Sequence, residues 1–592
     1  MGTLNGLKLA LNWANSRQAD ACNAAFLASS AQFAEFIRVL AGVQLSDLAS
    51  AGLTLVSVGH ACQRNHAASP PVQRGVGEVD GDDSERGDMT DTIDKPPAPK
   101  VKGKTVQEYI DELPQWPDGT ALKSMPMTAM QFRIWALACA GKFFEGMVVF
   151  MTGVALPLIS IQFHLNAAEK GMVTASSLAG ILVGATALGG LADSYGRKKM
   201  FIIEMIIFAV FLVGLTLAPN FITLVICLFG AGIALGCDYP TAHMVISESI
   251  ATSMRGRLVL SAFAFQAIGA FFGTALGFGI LYANPNLGAW RMMYAAAIVP
   301  AILVVIGRLF VTESPHWLVS KGRIEHGEKA TTELLKRTPR YPKSVSLGHL
   351  AHTGKAAEEH GSYLSLFKKR NRRATILASV PWFLQDLGVY GIGIFTPTIL
   401  GAVIGKESKS HGLSDTIHND ILGAKGSAMM DVLFVLGVIV AILLVDRVGR
   451  IKLQIWGFIG CAVGLLLAGL SIRPDGSNVM WLLFLGFTLF YFMVNFGPNA
   501  MTYLLAGEVF PTEVRGKGAG FAASFAKIGA VLTAFLFPIL LKTIGTTALL
   551  WGLVVCFLAG AIVTYSFRIE TAGVNLEDVG KDIGTEEVAT AK

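Results

Sequence analysis

Long apolar segments recur along most of the chain. From Ile134 onward they are roughly 17 to 27 residues long, close to the ~20 residues that a helix needs to cross a bilayer. The pattern therefore predicts about twelve membrane-spanning helices. We expect them to begin near Ile134, Met172, Phe201, Phe221, Leu258, Met292, Ala374, Ala428, Leu453, Met480, Gly516 and Thr546.

Polar intervals divide the chain into five predicted parts. A central loop at residues 320–373 separates a first six-helix half at 132–319 from a second at 374–567, and a tail follows at 568–592. Residues 1–131 are polar and include a stretch rich in Pro, Gly and charge, a composition typical of disordered chains. We expect 1–131 to be a disordered cytoplasmic segment whose first 88 residues are dispensable or a mis-start upstream of Met89.

The composition excludes a soluble protein. Only 15% of the 592 residues are charged and 53% are hydrophobic, whereas soluble domains carry about 25% charged residues. The net charge of +6 does not indicate nucleic-acid binding, because the basic residues fall in loops between apolar segments. The seven cysteines form no CxxC pair, so we expect no metal site, disulfide framework or cofactor. The predicted fold class is an all-α membrane protein.

Basic residues cluster in loops on one side of the predicted membrane. Lys and Arg favour the cytoplasmic side, so this side is predicted to be cytoplasmic, together with both termini. We expect a monomeric multi-pass protein of the cell membrane. The residues that carry this prediction are Arg197, Lys198, Lys199, Arg255, Arg257, Arg447, Arg450, Lys452, Arg515 and Lys517.

Two motifs occur twice, in equivalent loops. DSYGRKKM after the second predicted span is matched by DRVGRIKL after the eighth. Glu248 stands seven residues before Arg255, as Glu508 does before Arg515. The same order of motifs indicates duplicated six-helix units, an arrangement that places a solute path between the two halves.

The first loop, with the pattern GxxxDxxGRK, resembles the signature of the major facilitator superfamily, while TESPHWLVSKGR and IETAGVNLED resemble loops of its sugar porters. The resemblance implies a secondary active transporter and not an enzyme. In this interpretation a carboxylate at a helix end faces a basic turn across the interface between halves. In the second copy Ile442 replaces the glycine. The implied gating residues are Gly189, Asp193, Gly196, Arg197, Lys198, Glu248, Arg255, Asp446, Arg450, Glu508 and Arg515.

Charged residues inside apolar segments are costly and are usually kept for function. GCDYP in the fourth span and WFLQDLGVYG in the seventh resemble motifs of phosphate:proton symporters. This resemblance implies proton coupling through Glu145, Glu204 and Asp238. It implies substrate binding, with Lys527 attracting an anion, by Tyr239, Gln266, Trp382, Asp386, Tyr390, Asn495, Asn499 and Lys527.

The first span departs from those symporters. It reads KFFEGMVVF, where Glu145 stands for the first of two expected aspartates and Val148 removes the second. Lys142 is one turn before Glu145, close enough to pair with it. We therefore expect proton-coupled symport of a small anion such as inorganic phosphate. Proton-coupled transport of a sugar or an organic acid, including an aromatic acid, remains the alternative, and a membrane sensor that does not transport is a third possibility.

Overall fold

The computed structural model describes residues 104–113, 126–188, 191–337, 342, 345–347, 363–404, 413–473, 479–511 and 514–571. Apart from an isolated bridge between Lys104 and Leu347, regular structure in these residues is helical. The first half contains α1 (Val106–Asp111), α2 (Ala129–Gln162), α3 (Ala167–Val183), α4 (Leu191–Tyr195), α5 (Arg197–Leu217), α6 (Phe221–Ser249), α7 (Thr252–Ala283) and α8 (Ala289–Leu309).

Two short helices follow the first half, α9 (Pro315–Ser320) and α10 (Ile324–Leu334), and a 3-10 turn (Tyr363–Phe367) precedes the second. The second half contains α11 (Lys369–Ile404), α12 (Leu413–Val448), α13 (Arg450–Leu470), α14 (Met480–Phe496), α15 (Pro498–Glu508) and α16 (Arg515–Ser566). The exact limits of the five predicted parts stay predictions.

The predicted fold, two groups of six spans, is confirmed. Three spans or pairs of spans depart from a single regular helix each, and these have to be taken into account to count twelve. The second span comprises α3, a π-helical stretch (Gly184–Leu188) and α4. The tenth bends at Gly497 between α14 and α15, and α16 contains two spans joined at Gly545, whose φ is 78°. The largest error in a predicted start is the eighth span, which begins at Leu413 and not near Ala428. Its first turns carry polar residues, including Asp420, that break the apolar run.

The distribution of side chains is that of a membrane protein. Large apolar side chains such as Val210, Leu217, Val299 and Leu443 are exposed on the outside of the helices. The interior instead holds charged residues, including the fully buried Arg308. Lipid in contact with the outer surface accounts for this inversion, since hydrocarbon has no groups that could solvate charge.

Close contact between α2 and α7 creates the centre of the molecule. A Cβ added at Gly146 would lie 2.0 Å from the carbonyl oxygen of Gln266, and one at Gly269 would lie 1.9 Å from that of Phe143. Only glycine allows two helix backbones to approach this closely. The contact places Glu145 of α2 beside Gln266 of α7.

The segment before α2 contains an ordered helix, so the prediction of disorder is wrong for Lys104–Leu113. Val106 and Ile110 of α1 are buried against a cluster that includes Ile134 and Leu334. Apolar residues spaced four apart in a short polar sequence give α1 one buried face. Residues 1–103 lie outside the described part of the chain.

Asp111 at the end of α1 caps α7, and this contact generates a prediction. The residue preceding α7, Ala251, has no capping side chain, and Asp111 instead accepts hydrogen bonds from the backbone N and the Oγ1 of Thr252, each at 2.7 Å. We expect Asp111→Ala to cost about 1 kcal/mol, as for other lost helix caps. The measurement is the unfolding temperature of the purified protein in detergent.

The control for this change is Glu112→Ala. Glu112 forms a surface ion pair with Lys104 at 2.7 Å, and such pairs contribute about 0–1 kcal/mol. An Asp111→Ala protein no less stable than Glu112→Ala would show that α1 does not support α7.

Candidate functional site

Glu145, near the middle of α2, holds two buried lysines. Its Oε2 lies 2.6 Å from Lys142 Nζ, which confirms the expected pairing. Its Oε1 lies 3.2 Å from Nζ of Lys527 on α16, in the opposite half. All three side chains are almost inaccessible to solvent. One carboxylate therefore binds two ammonium groups, one from each half.

Three further side chains surround this pair of contacts. Lys527 donates to the hydroxyl of Tyr390 at 2.5 Å, and its Nζ lies 3.8 Å from Asp386 Oδ2. Gln266 Nε2 lies 2.9 Å from Tyr390 Oη and 3.3 Å from Glu145 Oε1. Helices α2, α7, α11 and α16 thus meet in one polar cluster. We call it the central network: Lys142, Glu145, Gln266, Asp386, Tyr390 and Lys527.

Two more acids lie beside a buried arginine. Asp238 Oδ1 is 2.6 Å from Nη1 of Arg308, which also donates to the carbonyl of Phe201 at 2.5 Å. Glu204 interacts electrostatically with Asp238 and Arg308, and its Oε1 accepts a hydrogen bond from Thr241 at 2.8 Å. Of the two acids, only Asp238 forms an ion pair with the guanidinium, and Glu204 lies near both, so one added proton would balance the charge of the three groups.

Arg308 was missed by the sequence interpretation. Its signal was present, since it is a basic residue at the end of the apolar run of α8. Glu204, Asp238 and Arg308 are called the acid–arginine cluster below.

The predicted asparagines form a separate chain of amides. Gln385 Nε2 donates to Asn499 Oδ1 at 3.0 Å, and Asn499 Nδ2 donates to Asn495 Oδ1 at 2.6 Å. Asn495 in turn donates to the carbonyl of Phe434 at 2.7 Å. The amide chain reaches Asp386 only through its sequence neighbour Gln385, so the structure does not place Asn495 and Asn499 in the central network.

A cleft of about 820 Å³, including its part open to solvent, leads toward the central network. Predicted residues Tyr239 and Trp382 line it, together with Tyr503 and Arg255. Lys142 Nζ lies 3.3 Å from the centre of the Tyr239 ring. This ring therefore separates Lys142 from the cleft. Arg255, at the entrance, also donates to Gln107 at 3.1 Å.

The cleft opens on the membrane face that carries the two repeated loops, which we call the motif face. On it, Gly196 immediately precedes α5 and has a φ of 108°, a conformation that favours glycine. Arg197 Nη1 donates to Asp193 at 2.6 Å and Nη2 donates to Glu248 at 3.1 Å. Gly189 lies outside the described residues.

The second copy repeats these contacts. Arg450 Nη1 donates to Asp446 at 3.3 Å, and its Nε donates to Glu508 at 3.2 Å. Arg515 Nε donates to the backbone carbonyl of Phe510 at 3.1 Å. The loss of the motif glycine to Ile442 has therefore not removed the ion pairs of this copy.

Four residues that the sequence interpretation missed add further contacts to the two copies of the repeated motif. Glu313 accepts from the backbone N of Lys198 at 2.9 Å, and Glu570 accepts from that of Arg450 at 3.0 Å. The next residues donate to the motif glutamates, Ser314 to Glu248 and Thr571 to Glu508, each at 2.5 Å. The signal was the pair ES and ET within the two sugar-porter-like loops.

The expected contact of Asp193 across the interface is wrong. Asp193 and Glu248 bind Arg197 within their own half. Asp446 makes the crossing contact, since its Oδ2 lies 3.2 Å from Nη2 of Arg257 on α7. Both side chains are largely exposed, so this pair is a weak tie between the halves.

Comparison with known proteins identifies the family. The family described as "Sugar (and other) transporter" matches residues 134–582, which is most of the chain. The chain belongs to this transporter family of the major facilitator superfamily. It is therefore an integral multi-pass membrane transporter and not an enzyme.

Relatives of the transporter are named for different substrates. It is 30% identical over 451 residues to the major myo-inositol transporter IolT of Bacillus subtilis, a match that covers 73% of the transporter and 89% of IolT. It is 26% identical over 521 residues to a Schizosaccharomyces pombe protein named "Putative inorganic phosphate transporter", covering 77% and 89% of the two chains. The xylose transporter XylE from E. coli shares its fold, with a TM-score of 0.62 and 20% identity over 76% of the transporter and 100% of XylE.

The motif-face contacts of the transporter generate a prediction. Glu248 binds both Arg197 and Ser314 and is mostly buried, whereas the Asp193 side chain is 64% exposed. We expect Glu248→Gln to weaken the closed state of the motif face by a coupling free energy of about 1–3 kcal/mol. The transport rate should therefore fall, and substrate binding should change less. Asp193→Asn should weaken the same state by less than about 1 kcal/mol, because an exposed ion pair contributes little. The measurement is initial uptake compared with binding affinity in the same protein preparation.

Glu325→Gln, an exposed acid in the first turn of α10, is the matched control. Equal losses of transport from Asp193→Asn and Glu248→Gln would contradict the ranking.

Proposed function

We propose that this transporter is a proton-coupled symporter of a small anion such as inorganic phosphate, in the cell membrane with the motif face and both termini cytoplasmic. The observation that carries the proposal is the pair of buried lysines that share Glu145. Two ammonium groups in a low-dielectric interior attract an anion strongly. The relative named as a phosphate transporter supports the same substrate class.

Charge balance describes how the anion would bind. With every group ionised, Lys142 and Lys527 are balanced by Glu145 and Asp386. A substrate anion that reaches the lysines must compete with Glu145 for them. Protonation of Glu145 ends this competition, so a proton and an anion would bind together. Gln266 and Tyr390, which already contact Glu145, supply hydrogen-bond donors for the oxygens of the substrate.

The acid–arginine cluster contains further carboxylates, close to Lys142, that could bind the proton. A Cβ added at Gly141 would lie 1.6 Å from Asp238 Oδ2, so Asp238 is in contact with the backbone of α2 beside Lys142. A proton on Glu204 or Asp238 would therefore change the charge next to Lys142. In this proposal the predicted proton-coupling residues Glu145, Glu204 and Asp238 act on the same lysine.

The second candidate is proton-coupled transport of a sugar or polyol, or of an organic acid. The family itself and the similarity to a myo-inositol transporter favour this candidate. A neutral polyol would use the amides and hydroxyls around Gln266 and the ring of Trp382 in the cleft, and would not need Lys527. The two candidates thus differ in what they require of one lysine.

Uptake into proteoliposomes separates the candidates. Labelled phosphate, an aromatic acid, glucose and myo-inositol are each tested with and without an inward proton gradient. Phosphate accumulation that depends on the gradient supports the proposal. Uptake of myo-inositol or glucose alone would overturn the anion assignment, and no uptake of any compound would favour the sensor.

Lys527→Ala tests the role of positive charge directly. We expect it to weaken anion binding by at least tenfold, which is about 1.4 kcal/mol, because an ammonium group in the central network is lost. Lys542→Ala is the control, since Lys542 is exposed on the same helix. Unchanged phosphate affinity in Lys527→Ala would show that Lys527 does not bind the substrate.

A further inference from the structure

Asp431 is a buried carboxylate that belongs to none of the clusters described above. It lies in α12 and is completely buried. Its Oδ2 is 2.8 Å from Oγ1 of Thr274 on α7, and its Oδ1 has no hydrogen-bond partner among the described residues. Since α7 belongs to the first half and α12 to the second, this contact crosses the interface between them.

The contact lies on the far side of the central network from the motif face. Helix α7 starts at the motif face, and Thr274 is eight residues beyond Gln266, about 12 Å at 1.5 Å per residue. Helix α12 runs the other way and ends at the motif face, with Asp431 fifteen residues before Asp446, about 22 Å. Asp431 is therefore placed to join the halves where the motif-face ion pairs do not reach.

Within the described part of the chain, no cation forms an ion pair with Asp431. Helices α2, α7, α11, α13 and α14 pack against α12. From α14, the hydroxyl of Tyr491 interacts electrostatically with Asp431 and donates to Thr396 at 2.8 Å. The other charged groups on these helices are in the central network or near the motif face, and no described residue forms an ion pair with Asp431. They are Arg133, Lys142, Glu145, Arg255, Arg257, Lys369, Arg370, Arg372, Arg373, Asp386, Arg450 and Lys452. The other titratable or charged residues of α12 itself are Asp415, His418, Asp420, Lys425, Asp446 and Arg447.

Counting hydrogens favours a protonated Asp431 in this contact. The hydroxyl of Thr274 has one hydrogen, and the carbonyl oxygens of Ala270 and Phe271 lie 3.1 Å from the same Oγ1. An ionised Asp431 would need that hydrogen and would hold a charge in an apolar setting. A protonated Asp431 can donate to Thr274 instead, which leaves the hydrogen of Thr274 for Ala270. The neutral carboxyl thus brings one more hydrogen to this contact than the ionised form and leaves no charge in the apolar setting.

We propose that Asp431 is a proton-binding site separate from Glu145 and from the acid–arginine cluster, and that its protonation closes the interface between the halves on the face opposite the motif face. When Asp431 loses its proton, the charge must gain water, and water can reach it only if α7 and α12 separate there. This inference rests on the proposed function in one respect, that the halves move relative to each other to transport a solute.

The test measures the distance between the halves on the face opposite the motif face. Spin labels are attached at Asn286→Cys, between α7 and α8, and at Ser414→Cys, in the first turn of α12, both exposed. Distances are recorded by double electron–electron resonance in nanodiscs, without substrate, from acidic to alkaline pH. The same chain without the two added cysteines gives the background from native cysteines.

We expect the population with short distances to fall as pH rises, and Asp431→Asn to abolish this shift by keeping the short distance at every pH. Thr274→Val should weaken the short-distance population while Asp431 is intact. Asp420→Asn is the matched control, since Asp420 is a buried acid on the same helix without a hydrogen bond to the first half among the described residues.

A distance that does not respond to pH, or one that still responds in Asp431→Asn as in wild type, would overturn the proposal. A response that Asp420→Asn abolishes equally would also overturn it. Proton-driven uptake with no effect of Asp431→Asn on the distances would leave the proposed function standing and reject this inference alone. A distance response without proton-driven uptake would do the reverse.

Discussion

The ion pair between Glu145 and Lys527 joins the two halves near the centre of the molecule, and the polar interior is organised around it. Burying such a pair costs desolvation energy that attraction offsets only when the remaining hydrogen-bonding groups are satisfied. Gln266 and Tyr390 meet that condition for Glu145 and Lys527. The close contact of α2 with α7 at Gly146 and Gly269 holds Gln266 in position. Removing one charge from this set leaves another uncompensated. Protonation of a carboxylate would therefore favour the binding of an anion to the lysines.

The need to compensate buried charge is met in different ways at the motif face, in the interior and beyond the central network. At the motif face, water is available, and the repeated Arg–Glu–Asp contacts remain within their own half, with Arg257 and Asp446 as the exposed crossing pair. In the interior, charges from several helices must compensate one another directly, as in the acid–arginine cluster. Beyond the central network, Asp431 has no ion-pair partner among the described residues, and its hydrogen-bond contact is the hydroxyl of Thr274. An ionised side chain therefore finds fewer compensating groups, and costs more free energy, toward the face opposite the motif face.

The sequence predicted the fold well because membrane spans depend on local composition. Twelve apolar runs and a repeated motif are visible without any structure, whereas the start of α12 was misplaced since its first turns are polar. Residues that a familiar motif marked, such as Asp238, Asp386 and Tyr390, lie in the buried polar clusters, and their role in transport stays a prediction. Arg308 and Asp431 were missed because their importance depends on which helix packs opposite, and this is not encoded locally. Disorder was predicted for α1 for the same reason, because its apolar face is buried by residues from distant parts of the chain, such as Ile134, Val245 and Leu334.

The central claim is that an anion and a proton bind together because Glu145 must release the lysines. The most direct measurement is calorimetric binding of phosphate to the wild type and to Glu145→Gln across pH, in buffers of different ionisation enthalpy. Phosphate's own ionisation is common to both proteins and cancels in the comparison. The account predicts that Glu145→Gln binds phosphate with less dependence on pH and takes up fewer protons on binding than the wild type. An unchanged pH dependence and unchanged proton uptake would contradict it.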